Sequence, residues 1–119
     1  MRIRASHSED FRTDSEDKMI IVVTPHQAFV DYCLEKKIIE EGKYKLLPRV
    51  QNYDEIRNQD VVGILPLHLA CLCNTVTEIP MVIPSELRGT RLTIEQIRDF
   101  AKKPKTYIVD QVDEEGNSI

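Results

Sequence analysis

The chain of 119 residues is long enough to build one hydrophobic core and too short for two. A net charge of −4 excludes the broad basic face needed for non-specific binding to duplex nucleic acid, while 41 % hydrophobic and 30 % charged residues suit a globular domain. No apolar run approaches the roughly 18 residues of a membrane span and no signal peptide is recognisable, so a cytoplasmic protein without membrane contact is expected.

Residues 1–18 hold two large apolar side chains beyond Met1, Ile3 and Phe11, and are expected to be a disordered leader. The folded domain, residues 19–110, begins at Met19, itself a candidate start codon. Met19–Val23 is a continuous apolar, β-branched run that predicts a strand buried on both faces. Thr24 is placed to cap a helix over 25–37, where Phe29, Tyr32, Cys33 and Lys36 recur at helical spacing, and Gly42 stops the segment after it. Tyr44–Leu47 reads as a second strand and Asn52–Arg57 as a helical turn with Asp54 and Glu55 at its start. Val61–Gly63 is the third strand. Pro66 opens a second helix that runs to Cys73, its missing N–H costing nothing at the first helical position.

Glu78–Ile83 reads as a fourth strand, which Pro80 confines to an edge or interrupts. Residues 84–91 form a loop carrying Arg88-Gly89. Thr93 and Gln96 make a capping box for a third helix with Ile94, Ile97, Phe100 and Ala101 on one face. Lys105–Val109 is the last strand, and 111–119 an acidic, solvated tail. Strands alternating with helices predict an α/β fold, a small Rossmann-like, mostly parallel sheet of about five strands with helices on both faces.

Ligands of open parallel sheets bind outside the carboxyl ends of the strands. Thr24, Pro25 and His26 follow the first strand there. Gly63, Leu65, Pro66 and His68 follow the third, and Arg88 lies in the loop after the fourth. Helix amides and Arg bind phosphate, and His transfers protons near neutrality, so these segments together fit a phosphate-bearing ligand. Each residue also has a plain structural explanation: His26 as a surface or capping group, His68 as a satisfied histidine, Arg88 as a loop anchor and Gly63 as a packing point. Cys33, Cys71 and Cys73 form neither a disulfide framework nor a CxxC pair, and Cys33 and Cys71 fall on apolar helix faces. His68 and Cys71 lack the further ligands a metal requires, so no metal site is expected.

Three segments taken together resemble a small stand-alone family associated with type III CRISPR systems. They are Thr24-Pro25-His26, Gly63-Ile64-Leu65-Pro66-Leu67-His68-Leu69-Ala70, and Pro84-Ser85-Glu86-Leu87-Arg88-Gly89-Thr90-Arg91-Leu92-Thr93, and the resemblance covers residues 19 to 109. It implies a fold similar to Rossmann-like domains that sense cyclic oligoadenylate, and ring-nuclease activity that opens the cyclic messenger and ends the antiviral signal. Pro25 stands where the family usually has Arg, and Ile64 where it usually has Thr.

The expected reaction is attack of a ribose 2′-hydroxyl on the adjacent phosphorus, with neither cofactor nor metal. His68 or His26 would act as general acid, and Arg88 with helix amides would stabilise charge. Thr24, Gly63, Leu65 and Pro66 would bind the ligand. The two-fold symmetry of a cyclic tetranucleotide matches a homodimer. Two alternatives stand beside the enzyme: a protein that sequesters the messenger uncut, and an acidic protein-interaction domain.

Overall fold

The computed structural model describes residues 2–5 and 19–117. Six strands form one sheet: β1 (Arg2–Ala5), β2 (Ile20–Val23), β3 (Tyr44–Leu47), β4 (Asp60–Gly63), β5 (Thr75–Glu78) and β6 (Lys105–Asp110), in the order β1-β6-β5-β4-β2-β3. β3, β2, β4 and β5 run parallel, whereas β6 and β1 are antiparallel to their neighbours. The sheet is thus mostly parallel, as the alternation of strands and helices predicts. Its helices are α1 (Gln27–Glu35), α2 (Leu67–Ala70) and α3 (Ile94–Phe100), with 3₁₀ turns at Tyr53–Glu55 and Ser85–Leu87.

The alternation of side chains along each strand divides the core in two. Ile21, Val61, Val76 and Val109 face one side and pack with Ile56 and with Ala70 of α2. Val22 and Val62 face the other and pack with Val30 and Cys33 of α1 and Ile97 of α3. Consecutive residues of β2 therefore serve opposite cores, which is why Met19–Val23 reads as an unbroken apolar run. Val22, Val30, Val62 and Cys33 are wholly excluded from solvent, and complete burial of a valine contributes about 1.5–3 kcal/mol. Burial also pushes the Cys33 and Cys73 thiols up to about 12, so both pack as small apolar groups.

Several boundaries differ from the sequence reading. α1 stops at Glu35 because Lys37 turns into the left-handed region at φ 60°, letting its amide reach the Leu34 carbonyl and the Ile38 amide reach that of Cys33. α2 is a single turn of four residues, not a helix to Cys73; Cys71 to Asn74 leave it to begin the next strand. That strand is Thr75–Glu78, not Glu78–Ile83.

Buried Asp60 explains the shift. Its carboxylate accepts from Asn74 Nδ2 at 2.7 Å and Thr75 Oγ1 at 2.8 Å, fastening the start of β5 to the start of β4. Pro80 then falls just beyond the strand, and Met81 makes only an isolated bridge with Ala101.

Arg2–Ala5, inside the expected disordered leader, pairs antiparallel with β6. A short strand needs little core of its own when a neighbour offers a row of free backbone groups. The rest of that leader, residue 1 and residues 6–18, lies outside the described residues, as do 118 and 119 of the tail. The described part of the tail is exposed beyond Val112, and Asp113 accepts the Glu115 and Asn117 amides at 2.9 Å, bonds that hold its carboxyl below the usual range. No helix among the described residues is long and apolar enough to cross a membrane.

Candidate functional site

Because β2, β4 and β5 are parallel, Val23, Gly63 and Glu78 end side by side at one edge of the sheet. A cavity of about 580 Å³ opens there, on the side of α1 and α3. That is within the roughly 300–1,000 Å³ usual for small-molecule sites. Its floor is the strand ends. Phe29 of α1, Ile97 of α3 and residues of the segment 79–92 line the rest of it. A second cavity of about 290 Å³ lies on the α2 side, lined among others by Leu65, Ala70 and Tyr107. Gly63, Ile64 and Glu78 line both.

Thr24, His26 and Gly63 all border the larger cavity. His26 occupies the N-cap of α1 with an exposed side chain that caps nothing. The Thr24 hydroxyl accepts the His26 amide at 3.2 Å, so it sets the turn into the helix and does not itself cap it. Gly63 is at φ 147°, and a Cβ there would lie 2.4 Å from the Val23 carbonyl oxygen. The glycine is therefore demanded by β2 beside it, not by a helix above it.

The second strand–helix junction contributes less. Leu65 borders the smaller cavity, while Pro66 and His68 are exposed and border neither. Pro66 is the N-cap of α2 rather than its first residue, and a one-turn helix carries little dipole with which to hold an anion. Arg88 also borders neither cavity, although its neighbours Leu87 and Gly89 line the larger one. The Arg88 Nε donates to the Ile83 carbonyl at 3.4 Å, tying the segment 79–92 to itself. The Thr90 hydroxyl does the same at Leu87, at 2.6 Å.

The walls are braced from outside. Arg98 of α3 forms a two-pronged ion pair with Glu35 of α1, its Nε 2.9 Å from one carboxylate oxygen, and holds that carboxyl below the usual range. No group of three or more His, Cys, Asp or Glu side chains among the described residues is arranged to hold a metal ion. The Cys71 thiol donates to the backbone carbonyl of His68 at 3.3 Å.

Glu78 is the site residue that sequence reasoning missed. Taken as the first residue of a strand, it belongs at the far edge of the sheet; as the last residue of β5, it stands at the mouth. The β-branched run Thr75-Val76-Thr77 is a local hint of the earlier start, but Val82-Ile83 offers an equal one.

A family model described as "Putative CRISPR-associated protein (Cas_VVA1548)" matches residues 21–110, essentially the whole sheet from β2 to β6 with its helices. No curated protein and no solved structure gives a significant match.

Proposed function

The chain belongs to the CRISPR-associated family Cas_VVA1548, and on that premise we propose that it binds a cyclic oligoadenylate and opens the ring. The observation that carries this reading is the cavity of about 580 Å³ at the C-terminal edge of the parallel strands, with Thr24, His26 and Gly63 on its border. The cavity is mostly apolar and offers Phe29 as a face on which a base can stack, a contact worth roughly 1–3 kcal/mol. Thr24, His26 and Thr90 add polar groups to the lining, which suits the sugar and phosphate.

In the proposed reaction the 2′-oxygen attacks the adjacent phosphorus and the bond to the 5′-oxygen breaks. A 2′,3′-cyclic phosphate and a free 5′-hydroxyl result. His26 is the better placed of the two candidate acids, because it borders the cavity and its side chain is free to protonate the leaving 5′-oxygen. His68 would serve only if the ligand extends across α2. Arg88 would reach a phosphate by giving up its bond to the Ile83 carbonyl. A two-fold dimer, matching the symmetry of a cyclic tetranucleotide, would put two such sites on one ring.

One observation favours a second reading, capture without cleavage. Pro25 stands between Thr24 and His26, where the resemblance leads one to expect Arg, and Pro supplies neither charge nor donor.

The test is to incubate the protein with cyclic tetraadenylate in the presence of a chelator and to identify products by mass spectrometry. Linear products ending in a 2′,3′-cyclic phosphate establish the nuclease. Intact ring that stays bound to the protein establishes the sequestering role. Intact ring that does not bind removes both for this ring size.

A further inference from the structure

The two cavities meet at one ionisable residue. Glu78 is the one carboxylate lining either of them among the described residues, and it lines both. It is half-buried at the end of β5, opposite Lys105 of β6 in the ladder. No hydrogen bond or ion pair to its carboxylate occurs among the described residues. A carboxylate only accepts hydrogen bonds, so beside a phosphodiester it must face a donor of the ligand or repel the phosphate.

The donors of an oligoadenylate are its base amines and its 2′-hydroxyls, and position decides between them. Each cavity offers one aromatic face, Phe29 in the larger and Tyr107 in the smaller. Two neighbouring bases seated one on each side of the sheet edge would carry the linkage between them over Gly63, Ile64 and Glu78. Gly63 leaves that crossing without a side chain. The amines would sit at the far ends of the bases, away from Glu78, whereas the 2′-hydroxyl belongs to the linkage itself.

We infer that a dinucleotide step of the ring straddles the sheet edge and that Glu78 is the general base for its 2′-hydroxyl. The inference rests on the reading of the site as one for cyclic oligoadenylate. The 2′-hydroxyl gives its proton to the Glu78 carboxylate as the 2′-oxygen bonds to phosphorus. The phosphorus–5′-oxygen bond breaks, and the leaving oxygen takes a proton from His26. Glu78 then returns its proton to solvent and His26 regains one, so no oxidant, metal or second substrate enters the balance.

The experiment compares wild type with Glu78→Gln and Glu78→Ala on two probes, cyclic tetraadenylate for turnover and its all-2′-deoxy analogue for affinity. Thermal melting checks that each variant is folded. Glu78→Gln keeps the shape and removes the base, so turnover is expected to fall about 100-fold or more. Affinity for the deoxy ring, which has no hydroxyl to engage, stays within about three-fold or tightens as repulsion is relieved.

Turnover of Glu78→Gln within about three-fold of wild type overturns the inference and leaves the proposed function standing. Deoxy-ring affinity that falls in parallel with turnover in both folded variants also overturns it, since Glu78 would then be shaping the site. A wild-type protein that opens no ring removes the proposed function and this inference together.

Discussion

The two strand–helix junctions look alike in sequence and differ in the structure. Each joins an apolar strand to a helix through a proline, with a histidine one or two residues later: Val23-Thr24-Pro25-His26 after β2 and Gly63-Ile64-Leu65-Pro66-Leu67-His68 after β4. The first opens a nine-residue helix with its histidine on the border of the larger cavity. The second opens a single turn whose histidine is exposed and borders neither cavity. The difference lies in the residues C-terminal to each proline. α1 has Val30 and Cys33 to bury and continues until Lys37 turns, whereas α2 buries only Ala70 before Asp60 draws Asn74 and Thr75 into β5. A shared local pattern does not confer a shared role; the length of helix behind it does.

The largest effect is expected where the two junctions touch. Gly63→Ala places a Cβ 2.4 Å from the Val23 carbonyl at a backbone angle that L side chains avoid. Strain and displacement together should destabilise the fold by about 3 kcal/mol or more, seen as a large fall in melting temperature. A melting curve like wild type would mean that β2 and β4 do not approach this closely.

Activity separates the junctions next. If the chain opens cyclic tetraadenylate, His26→Ala should lower turnover by about 100-fold, and His68→Ala by less than about three-fold. The opposite ranking would assign the acid to the second junction and move the reacting phosphate towards α2.

Thiol labelling sharpens the comparison at a smaller scale. Cys71, just past α2, is part-exposed, whereas Cys33 and Cys73 are buried with thiols pushed up to about 12. Under native conditions at about pH 8, iodoacetamide should modify Cys71 at least about ten-fold faster than the other two, as read by peptide mass spectrometry. Equal rates would show that α1 opens as readily as the turn at α2.

The smallest effect concerns the brace behind α1. The Glu35 carboxyl is held low chiefly by its hydrogen bonds from Arg98, so the pair adds stability above the unfolded carboxyl value and loses it as pH falls through the folded one. Glu35→Gln should therefore melt slightly below wild type near neutral pH at low salt. The gap should close in acid and narrow in high salt. A gap that persists in acid would mean that packing, not charge, joins α1 to α3.

Much of the architecture was legible in the sequence because it rests on local rules. The apolar runs of β2 and β4, the strand Tyr44–Leu47, the Asn52 turn and the Thr93–Gln96 capping box all occur where spacing places them. Capping boxes are legible because both of their bonds lie within one turn. β5 was misplaced for the opposite reason. Val82 and Ile83 have as much strand propensity as Val76, and only the contacts from Asp60, some fifteen residues away, decide between them. Of the candidate site, Thr24, His26 and Gly63 were brought together because strand ends are local features. Pro66, His68 and Arg88 were not brought to the cavities, because their placing depends on how far α2 runs and how the segment 79–92 folds back.

The sequence by itself determined a mostly parallel α/β sheet covered on both faces, since the period of apolar residues and the positions of caps and prolines leave little else. Tertiary structure alone decided which junction's histidine borders the larger cavity, and that Glu78 ends a strand instead of beginning one. The end of α2 and the start of β5 both depend on a buried carboxylate that joins residues distant in the chain. Moving that strand by three residues carries a side chain about 10 Å along the sheet, from one edge to the other.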